Sequence, residues 1–205
     1  MDRSAGRSMR DVYVGGLANV LDALPACERF IYVSSTGVYG QTGGELVDEA
    51  SATEPLEESG KVVLAAERLL RERRPDATIL RFAGIYGPNR LLRKQPILNG
   101  EPLVGDADRW LNLVHVDDGV GAVLAAEVAA VAGETMNVAG GDAPARREFY
   151  TLLGELLGVP AKFDHRPEPG TVNRRVANRA ARERLRWAPG HPTYRDGLPH
   201  AVRAG

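Results

Sequence analysis

Residues 59–68 read SGKVVLAAER, and this stretch with its two neighbours decides the fold. Its apolar residues recur at helical spacing, so we predict a helix from about Gly60 to Arg74. Short apolar runs lie on either side, FIYVS at residues 30–34 and TILRF at residues 78–82. Runs of this kind are typical of strands that are buried on both faces of a sheet. A strand, a helix and a second strand in this order predict two parallel strands joined by a crossover helix.

The same alternation continues along most of the chain. The segment between residues 35 and 59 is polar and rich in glycine, which predicts turns, and after Pro160 the pattern loosens into an Arg-rich tail that ends in short helices. The further predicted elements are a helix over 12–24, a weaker helix over 89–98, a strand over 110–114, an Ala-rich helix from about 117, a strand over 135–138 and a helix over 145–157. We therefore predict an α/β fold, a doubly wound parallel sheet with helices on both faces.

The composition is that of one soluble globular domain. The chain has 205 residues, 43% hydrophobic and 26% charged, and its formal net charge of -1 gives no general attraction to nucleic acid or to a membrane surface. The single Cys27 cannot form an internal disulfide, and residues 1–10 have no apolar core of the kind that a signal peptide needs. The longest apolar run, Val120 to Ala132, is interrupted by Glu127 and is too short to span a bilayer. We expect a cytoplasmic protein.

Lys61 stands out because lysine is rare in this chain. The 26 basic residues include only three Lys, and one of them lies on the apolar helix, where Arg would not be an equivalent substitute. Glu57 lies four residues earlier, about one helical turn away. In its simplest interpretation this spacing makes an exposed Glu57–Lys61 pair, worth about 0.2–0.5 kcal/mol.

Four further motifs follow in a fixed order. Residues 34–40 read SSTGVYG and end the first strand, and residues 81–89 read RFAGIYGPN and end the second. LVHVDD at 113–118 and MNV at 136–138, followed by two glycines, come later. Together with the helix of Lys61, these motifs resemble the extended short-chain dehydrogenases/reductases of the NAD-dependent epimerase/dehydratase family, nearest to its atypical branch. The resemblance extends from about Met9 to the end of the chain and depends on the order of the motifs.

The resemblance implies which residues stand at the catalytic positions. In the family a Tyr precedes the Lys by four residues, and the Lys holds the nicotinamide ribose and lowers the pKa of that Tyr. Here Lys61 is present but Glu57 takes the place of the Tyr, and a carboxyl group that is ionised at neutral pH is a poor proton donor. Ser35 matches the family's catalytic Ser or Thr, whose hydroxyl binds the substrate oxygen that changes charge during hydride transfer. Taken alone, Ser35 could equally satisfy backbone groups at a strand end.

The resemblance also implies NAD or NADP as cofactor and a small-molecule substrate, with no metal ligand. The implied cofactor contacts are Ser34, Lys61, Phe82, Ala83, Gly84 and Ile85. The implied substrate contacts are Thr36, Tyr86 and Arg174.

Two departures from the family bear on the substrate. Its dehydratases have an Asp and a Glu where this chain has Thr36 and Gly37, so we do not expect sugar-nucleotide dehydration. Many sugar-nucleotide members have an Asn where Gly84 stands. The resemblance leaves two functions open. The first is a protein that acts on a nucleotide sugar or a related small molecule and is impaired in this form. The second is a non-catalytic binding or regulatory module.

The implied fold is Rossmann-like with its N-terminal half missing from this sequence. About three strand–helix units and their Gly-rich pyrophosphate turn should precede Asp11, so we do not expect the 205 residues alone to hold a dinucleotide tightly. We expect a single domain, in which about 9–115 form the remaining core and about 116–205 the last core helix and strand with a small C-terminal substrate lobe.

The strand at 30–34 would then be an open apolar edge of the kind that pairs with another chain. The sequence is accordingly expected to be a fragment or shortened gene model, or a remnant that forms a homodimer. The spacing of Gly37, Gly40 and Gly43 imitates a dinucleotide loop. We interpret these glycines as turns, because an acidic segment rather than a helix follows.

Three features are interpreted mainly through packing. His115 is expected to be a core histidine with its hydrogen bonds satisfied, and Asp117 a cap of the helix that follows. Trp187 is expected to anchor the tail to the core. Six arginines between 174 and 186 are interpreted either as a phosphate-binding cluster or as a solvated helical face.

Overall fold

The computed structural model describes residues 6–129 and 131–205. A π-helical segment, Asp11–Gly15, precedes the first α-helix, and a 3-10 turn, Thr36–Val38, follows the first strand. The strands are β1 (Ile31–Ser35), β2 (Glu45–Val47), β3 (Thr78–Phe82), β4 (Gly84–Tyr86), β5 (Pro102–Gly105), β6 (Leu113–His115), β7 (Thr135–Val138), β8 (Lys162–His165) and β9 (Arg174–Val176). The α-helices are α1 (Gly16–Ala23), α2 (Glu58–Arg73), α3 (Lys94–Leu98), α4 (Val116–Ala129), α5 (Arg146–Leu157), α6 (Arg179–Arg184) and α7 (Tyr194–Arg203).

Three parallel strands form the central sheet, in the order β1-β3-β7. The middle strand, β3, is buried along its whole length, which explains its nearly unbroken apolar sequence. Ile79 packs with α1 and α2, whereas Leu80 belongs to the cluster that contains Ala122 and Ala126 of α4. Successive strand residues point to opposite faces, so helices cover both faces of the sheet. The predicted doubly wound α/β arrangement is confirmed.

A second apolar cluster lies beyond the carboxyl end of β3. It is organised around two small parallel sheets, β4-β6 and β5-β8, with α3, α5 and α7 packed against them. The chain enters this region directly from the central sheet, because Ala83 N donates to Val138 O whereas Gly84 N donates to Asn112 O. The cluster contains residues from both sides of position 116, such as Tyr86 and Leu198. The proposed division of the single domain near residue 116 stays a prediction.

Some predicted elements differ in extent from the structure. The helix predicted over 89–98 is only α3, because Asn89 and Arg93 adopt positive φ angles of 59° and 65° that no α-helix continues through. The strand predicted over 110–114 is reduced to β6, since Trp110 forms an isolated bridge with Ala145. The short strands β2, β4, β5, β8 and β9 were not predicted, because three or four residues carry no readable periodicity. The glycines of residues 37–43 lead into β2 rather than a helix, so their interpretation as turns is confirmed.

A buried ion pair joins α2 to the central sheet. Arg81 of β3 donates from Nε to Glu67 Oε1 at 3.0 Å and from Nη2 to Glu67 Oε2 at 2.7 Å. The two side chains are 9% and 4% exposed. Ser34 of β1 also donates its hydroxyl to Glu67 Oε1, at 2.5 Å. One carboxylate therefore holds two strands and a helix together.

The same network continues into the loop after β1 and across to β7. Arg81 Nη1 donates to Tyr39 Oη at 2.9 Å, and the Tyr39 hydroxyl donates to Asn137 Oδ1 at 2.9 Å. The backbone N–H of Asn137 in turn donates to Glu49 Oε1 at 2.6 Å. Burial raises the pKa of Tyr39, so its hydroxyl keeps the proton that it donates. We call these six residues the Arg81 network.

One edge of the central sheet is open. Within residues 6–129 and 131–205, β1 pairs with β3 and with no other strand. Val33 of β1 is 49% exposed, whereas its partner in the register, Leu80, is fully buried. Among the described residues, no helix combines the length and the apolar character needed to cross a bilayer.

The Arg81 network yields a prediction about stability. Replacing Glu67 with Gln leaves the Arg81 charge buried without its counter-ion, and we expect a loss of about 3–5 kcal/mol in the free energy of unfolding. Urea denaturation followed by circular dichroism measures it. Arg73→Met is the matched control, because Arg73 pairs with Asp22 on the surface, where the Arg73 side chain is 42% exposed and the Asp22 side chain 66%. Equal, small losses in the two variants would contradict the importance assigned to the buried pair.

The open edge yields a prediction about association. We expect the 205-residue chain to form an edge-to-edge homodimer at micromolar concentration, and Val33→Lys to weaken it, because an edge lysine opposes strand pairing. Leu46→Lys is the control, since Leu46 is 66% exposed on β2, away from this edge. Sedimentation velocity distinguishes the species. A monomeric wild type with a cooperative melt would show that the edge does not pair.

Candidate functional site

Ser35 lies where β1 ends and the 3-10 turn begins. Its backbone is still extended, with φ -136° and ψ 143°, and its Oγ accepts a hydrogen bond from Gly37 N at 3.0 Å. The side chain therefore does satisfy a backbone group. Since that contact uses only an oxygen lone pair, the hydroxyl hydrogen of Ser35 can still be donated to a ligand.

The start of α2 packs directly against this turn. A Cβ on Gly60 would lie 2.3 Å from Gly37 O and 2.7 Å from Pro55 Cβ, so only glycine fits. This close approach brings Ser59 and the first turn of α2 next to Ser35. A cleft of about 320 Å³ opens here, and we call it the Ser35 cleft; it is lined by Tyr13, Tyr32, Ser35, Gly37, Ser59, Gly60 and four further residues.

Two tyrosines, Tyr13 and Tyr32, line the Ser35 cleft. Position 57, where the family has its tyrosine, is Glu in this chain. Burial raises the pKa of Tyr32, and the charge of Glu67 acts in the same direction. Tyr32 is therefore a weaker proton donor than a free phenol at neutral pH, and it does not replace the tyrosine of the family's motif.

The predicted Glu57–Lys61 ion pair is wrong. Glu57 is the N-cap residue of α2, with an extended backbone (φ -84°, ψ 145°), so its side chain does not lie on the helical face of Lys61. Only its carbonyl oxygen contacts Lys61, accepting from the backbone N–H at 3.1 Å. The Lys61 ammonium instead lies 2.6 Å from Glu58 Oε1, and the Lys61 side chain is 53% exposed.

Ser34 lies beside the Ser35 cleft but points elsewhere. Its hydroxyl belongs to the Arg81 network, where it binds Glu67. A cofactor in the cleft could therefore meet the backbone of Ser34 but not its hydroxyl in the present arrangement. The cofactor contact predicted for Ser34 stays a prediction.

Thr36 and Arg174, both predicted substrate contacts, lie together. Arg174 Nη2 donates to the carbonyl oxygen of Thr36, and the guanidinium carbon lies 6.0 Å from the centre of the Tyr39 ring. Arg174 is 8% exposed, and among the described residues its Nε has no hydrogen-bond partner. Burial lowers the pKa of Arg174 to about 10, while Tyr39 and the Glu57 carboxylate oppose that shift. The side chain remains a cation at neutral pH and has one unused donor.

The other predicted contacts lie outside the residues that line the Ser35 cleft. Phe82 packs against α4, where a Cβ on Gly119 would lie 2.7 Å from its ring, and Ala83 is also buried. Gly84 is exposed, and a Cβ there would lie 3.1 Å from Asn112 O, a tight contact that a larger residue would relieve only if the Asn112 backbone shifted. Ile85 is half-buried in β4.

Tyr86 has a packing role in this structure. It is 3% exposed in the second apolar cluster, and its hydroxyl is so close to Gly197 that a Cβ there would lie 2.0 Å away. The structure therefore does not bring Tyr86 together with Ser35.

Asn112 was missed by the sequence analysis. Its side-chain amide donates from Nδ2 to Arg174 O at 2.8 Å, and its Oδ1 accepts from Val176 N at 2.7 Å. It thus holds both ends of β9 and so positions Arg174. The available signal was a single amide residue inside an apolar run, which strand periodicity does not explain.

The expectation that Asp117 caps α4 is also wrong. The helix begins at Val116, directly after β6, so Asp117 lies inside its first turn with a side chain that is 61% exposed. The structural carboxylate is Asp118, which is 5% exposed and accepts hydrogen bonds from the backbone N–H groups of Gly190 and His191. His115 is buried as expected, but His191 and His200 lie beside it, which the sequence analysis did not foresee.

The arginine-rich stretch divides between the two interpretations. Arg174 is buried, whereas the other five arginines of the stretch are exposed, as a solvated face predicts. Three of these exposed arginines have partners: Arg184 pairs with Glu134, Arg179 lies 4.0 Å from Glu183, and Arg175 lies over the Trp110 ring at 5.5 Å. Trp187 is buried in the main cluster, as expected for an anchor.

Comparisons with known proteins agree with this architecture. Protein YeeZ of Escherichia coli K12 is 31% identical over 164 residues, which are 78% of this chain but only 58% of YeeZ. The UDP-glucuronic acid 4-epimerase of Bacillus cereus, solved with UDP-glucuronic acid and NAD, has a TM-score of 0.84 at 22% identity, covering 98% of this chain and 69% of that one. MoeE5, solved with the same two ligands, has a TM-score of 0.76 at 26% identity, covering 92% of this chain and 67% of that one.

The likeness to the B. cereus enzyme, at that identity, shows a shared fold. The family assignment comes from the model of the NAD dependent epimerase/dehydratase family, which matches residues 5–139, about two thirds of the chain. The chain belongs to the NAD dependent epimerase/dehydratase family.

Proposed function

We propose that this chain carries the catalytic-hydroxyl and substrate side of an NAD(P)-dependent site that acts on a nucleotide sugar or a related small molecule. The observation that carries the proposal is the convergence of Ser35 and the first turn of α2 at the carboxyl end of a parallel strand. Ligands of open α/β sheets bind at this end of the strands. The UDP-glucuronic acid and NAD held by two similar structures support the ligand class.

Ser35 would act as the hydrogen-bond donor to the reacting oxygen of the substrate. Its Oγ is held by the Gly37 N–H, so the position of the oxygen is set before a ligand arrives, while its hydrogen can rotate toward that ligand. A fixed donor stabilises negative charge that develops on a carbonyl or alkoxide oxygen without having to reorganise.

Lys61 would bind the nicotinamide ribose of NAD or NADP. Its present partner, Glu58, has a side chain that is 84% exposed, and such surface pairs contribute little free energy. The ammonium can therefore leave Glu58 for a ribose hydroxyl at low cost. The residue that would complete the proton-transfer pair is Glu57 instead of a tyrosine, so we propose that hydride-transfer chemistry is impaired in this form.

Arg174 supports an anionic group on the substrate. Its guanidinium is buried next to Thr36 with Nε unpartnered, and a carboxylate or phosphate oxygen would satisfy that donor. Arginine suits such groups because its planar donors match two oxygens at once. A sugar carboxylate or a diphosphate has this chemistry.

The alternative function is a non-catalytic binding or regulatory module that retains the fold. Glu57 favours it, because this residue removes the family's proton donor while leaving the cleft intact. Both proposals predict ligand binding, and any turnover would decide for the first.

The substrate side can be tested without turnover. We expect UDP-glucuronic acid, used as a probe, to give saturation-transfer NMR signals with the 205-residue chain, and Arg174→Lys to weaken binding at least about tenfold because Lys cannot reproduce the paired donors. Arg175→Lys is the matched control, since Arg175 is exposed on the same strand. Binding that is absent in the wild type, or equal in all three proteins, would overturn the assignment of Arg174.

Turnover tests the replacement of the tyrosine. We expect no reductase or epimerase turnover with NAD(H) or NADP(H), and only weak cofactor binding by calorimetry, because residues 6–129 and 131–205 contain no Gly-rich turn that joins a strand directly to a pyrophosphate-binding helix. Glu57→Gln and Lys61→Met should then be equally silent. Turnover that survives in Glu57→Gln and disappears in Lys61→Met would show that the chemistry proceeds without an acid at position 57.

A further inference from the structure

Three of the chain's four histidines lie together, away from the Ser35 cleft. His115 ends β6, His191 lies in the loop before α7, and His200 lies in α7. One ring nitrogen from each lies within 4.8 Å of the other two. The ring centroids are separated by 4.0 Å between His115 and His191, 5.2 Å between His115 and His200, and 5.1 Å between His191 and His200.

We propose that His115, His191 and His200 bind a divalent transition metal, with Zn²⁺ as the preferred ion. Three imidazole ligands with a fourth position left to water form a set that zinc accepts. His115 is fully buried and the other two are half-buried, so the cluster has a protected side and an open side. The ion would join β6 to α7 and to the loop that leads into α7, two regions that are remote in sequence.

The spacing of two of the ligands already suits the ion. His115 Nε2 lies 3.4 Å from His200 Nδ1. Two nitrogens bound at about 2.0–2.1 Å around a tetrahedral zinc are about 3.4 Å apart. The third ligand must approach by roughly 1 Å to complete the site. His191 can do so because it lies in a loop and its side chain is 21% exposed.

Carboxylates stand behind two of the three rings. His191 Nδ1 lies 3.5 Å from Asp118 Oδ2, and Asp118 is itself fixed by the backbone N–H groups of Gly190 and His191. His115 Nδ1 lies 3.5 Å from Asp117 Oδ2. Carboxylates in this position orient metal-binding imidazoles and fix which ring nitrogen carries the hydrogen.

Hydrogen bonds within the protein account for the positions of two of the three imidazoles, those of His115 and His200. Asp117 N donates to His115 Nδ1 at 3.3 Å, so His115 Nε2 would carry the ring hydrogen and donate it to His200 Nδ1. His191 Nδ1, in contrast, is buried with no hydrogen-bond partner among the described residues, and it faces Asp118 Oδ2 at 3.5 Å, so Nε2 is the His191 nitrogen that would bind the metal. A metal would occupy the place of the hydrogen between His115 and His200. The ring hydrogen of His115 would then lie on Nδ1, so the bond that Nδ1 accepts from Asp117 N would be lost and replaced by a bond from Nδ1 to Asp117 Oδ2.

The test uses the untagged 205-residue chain after treatment with a chelator. Zn²⁺ is titrated in competition with a chromophoric chelator, and Co²⁺ is added separately to read the coordination from its visible absorption. We expect one Zn²⁺ per chain, a higher melting temperature with zinc, and an affinity lowered at least about tenfold in His191→Gln and in His200→Gln. His165→Gln is the control, because the remaining histidine lies with Asp106 and Asp108 instead.

Each outcome decides the proposal. It is overturned if the wild type binds less than one equivalent, if both cluster variants bind as the wild type does, or if only His165→Gln loses the ion. His115 is left unchanged because its ring is part of the buried core. Circular dichroism shows which variants fold, and the Co²⁺ spectrum of the wild type decides the question even where a variant does not.

Discussion

The carboxylate of Glu67 is the constraint on which the rest of this structure depends. It accepts from Arg81 twice and from Ser34 once, inside a region from which water is largely excluded. Two charges buried in this way are costly unless every remaining donor and acceptor is matched. The Arg81 guanidinium also donates to Tyr39, which in turn donates to Asn137 of β7, where Nδ2 has no partner among the described residues. These bonds tie α2 to β1, and residues of both elements line the Ser35 cleft.

Much of the fold could be predicted from the sequence because its longest elements carry strong periodic signals. β3 and β7 have the bounds that were predicted, and α2 and α5 differ by no more than two residues at either end. The turns of the second lobe could not be predicted in this way. The left-handed Asn89 and Arg93 shorten α3, although neither residue type marks such a conformation reliably. Pairings between short strands remote in sequence, such as β2 with β9, leave no pattern in either segment.

Motif order pointed to Ser35, Thr36 and Lys61, and their roles in a site stay predictions. Ser35 lines the cleft and Thr36 begins the 3-10 turn, whereas the Lys61 ammonium pairs with Glu58 at the exposed surface. Side-chain directions depend on backbone angles that no motif contains. The side chain of Glu57 lies before the first turn of α2 and does not pair with the Lys61 ammonium. The Ser34 hydroxyl points inward and binds Glu67. Asn112 and Asp118 were overlooked because each is one polar residue whose partners lie more than sixty positions away.

The contact between Gly60 and Gly37 has a consequence for how such a site can change over evolutionary time. The two backbones are too close for even a methyl group, so the start of α2 and the turn that carries Ser35 must move as one rigid body. Position 60 is thereby closed to substitution, while position 57, just before the helix, is constrained only by its backbone. A lineage can therefore exchange the residue at position 57 without disturbing the frame that holds the Ser35 hydroxyl. Position 57, where the family has its tyrosine, lies only three residues before position 60, where packing requires glycine.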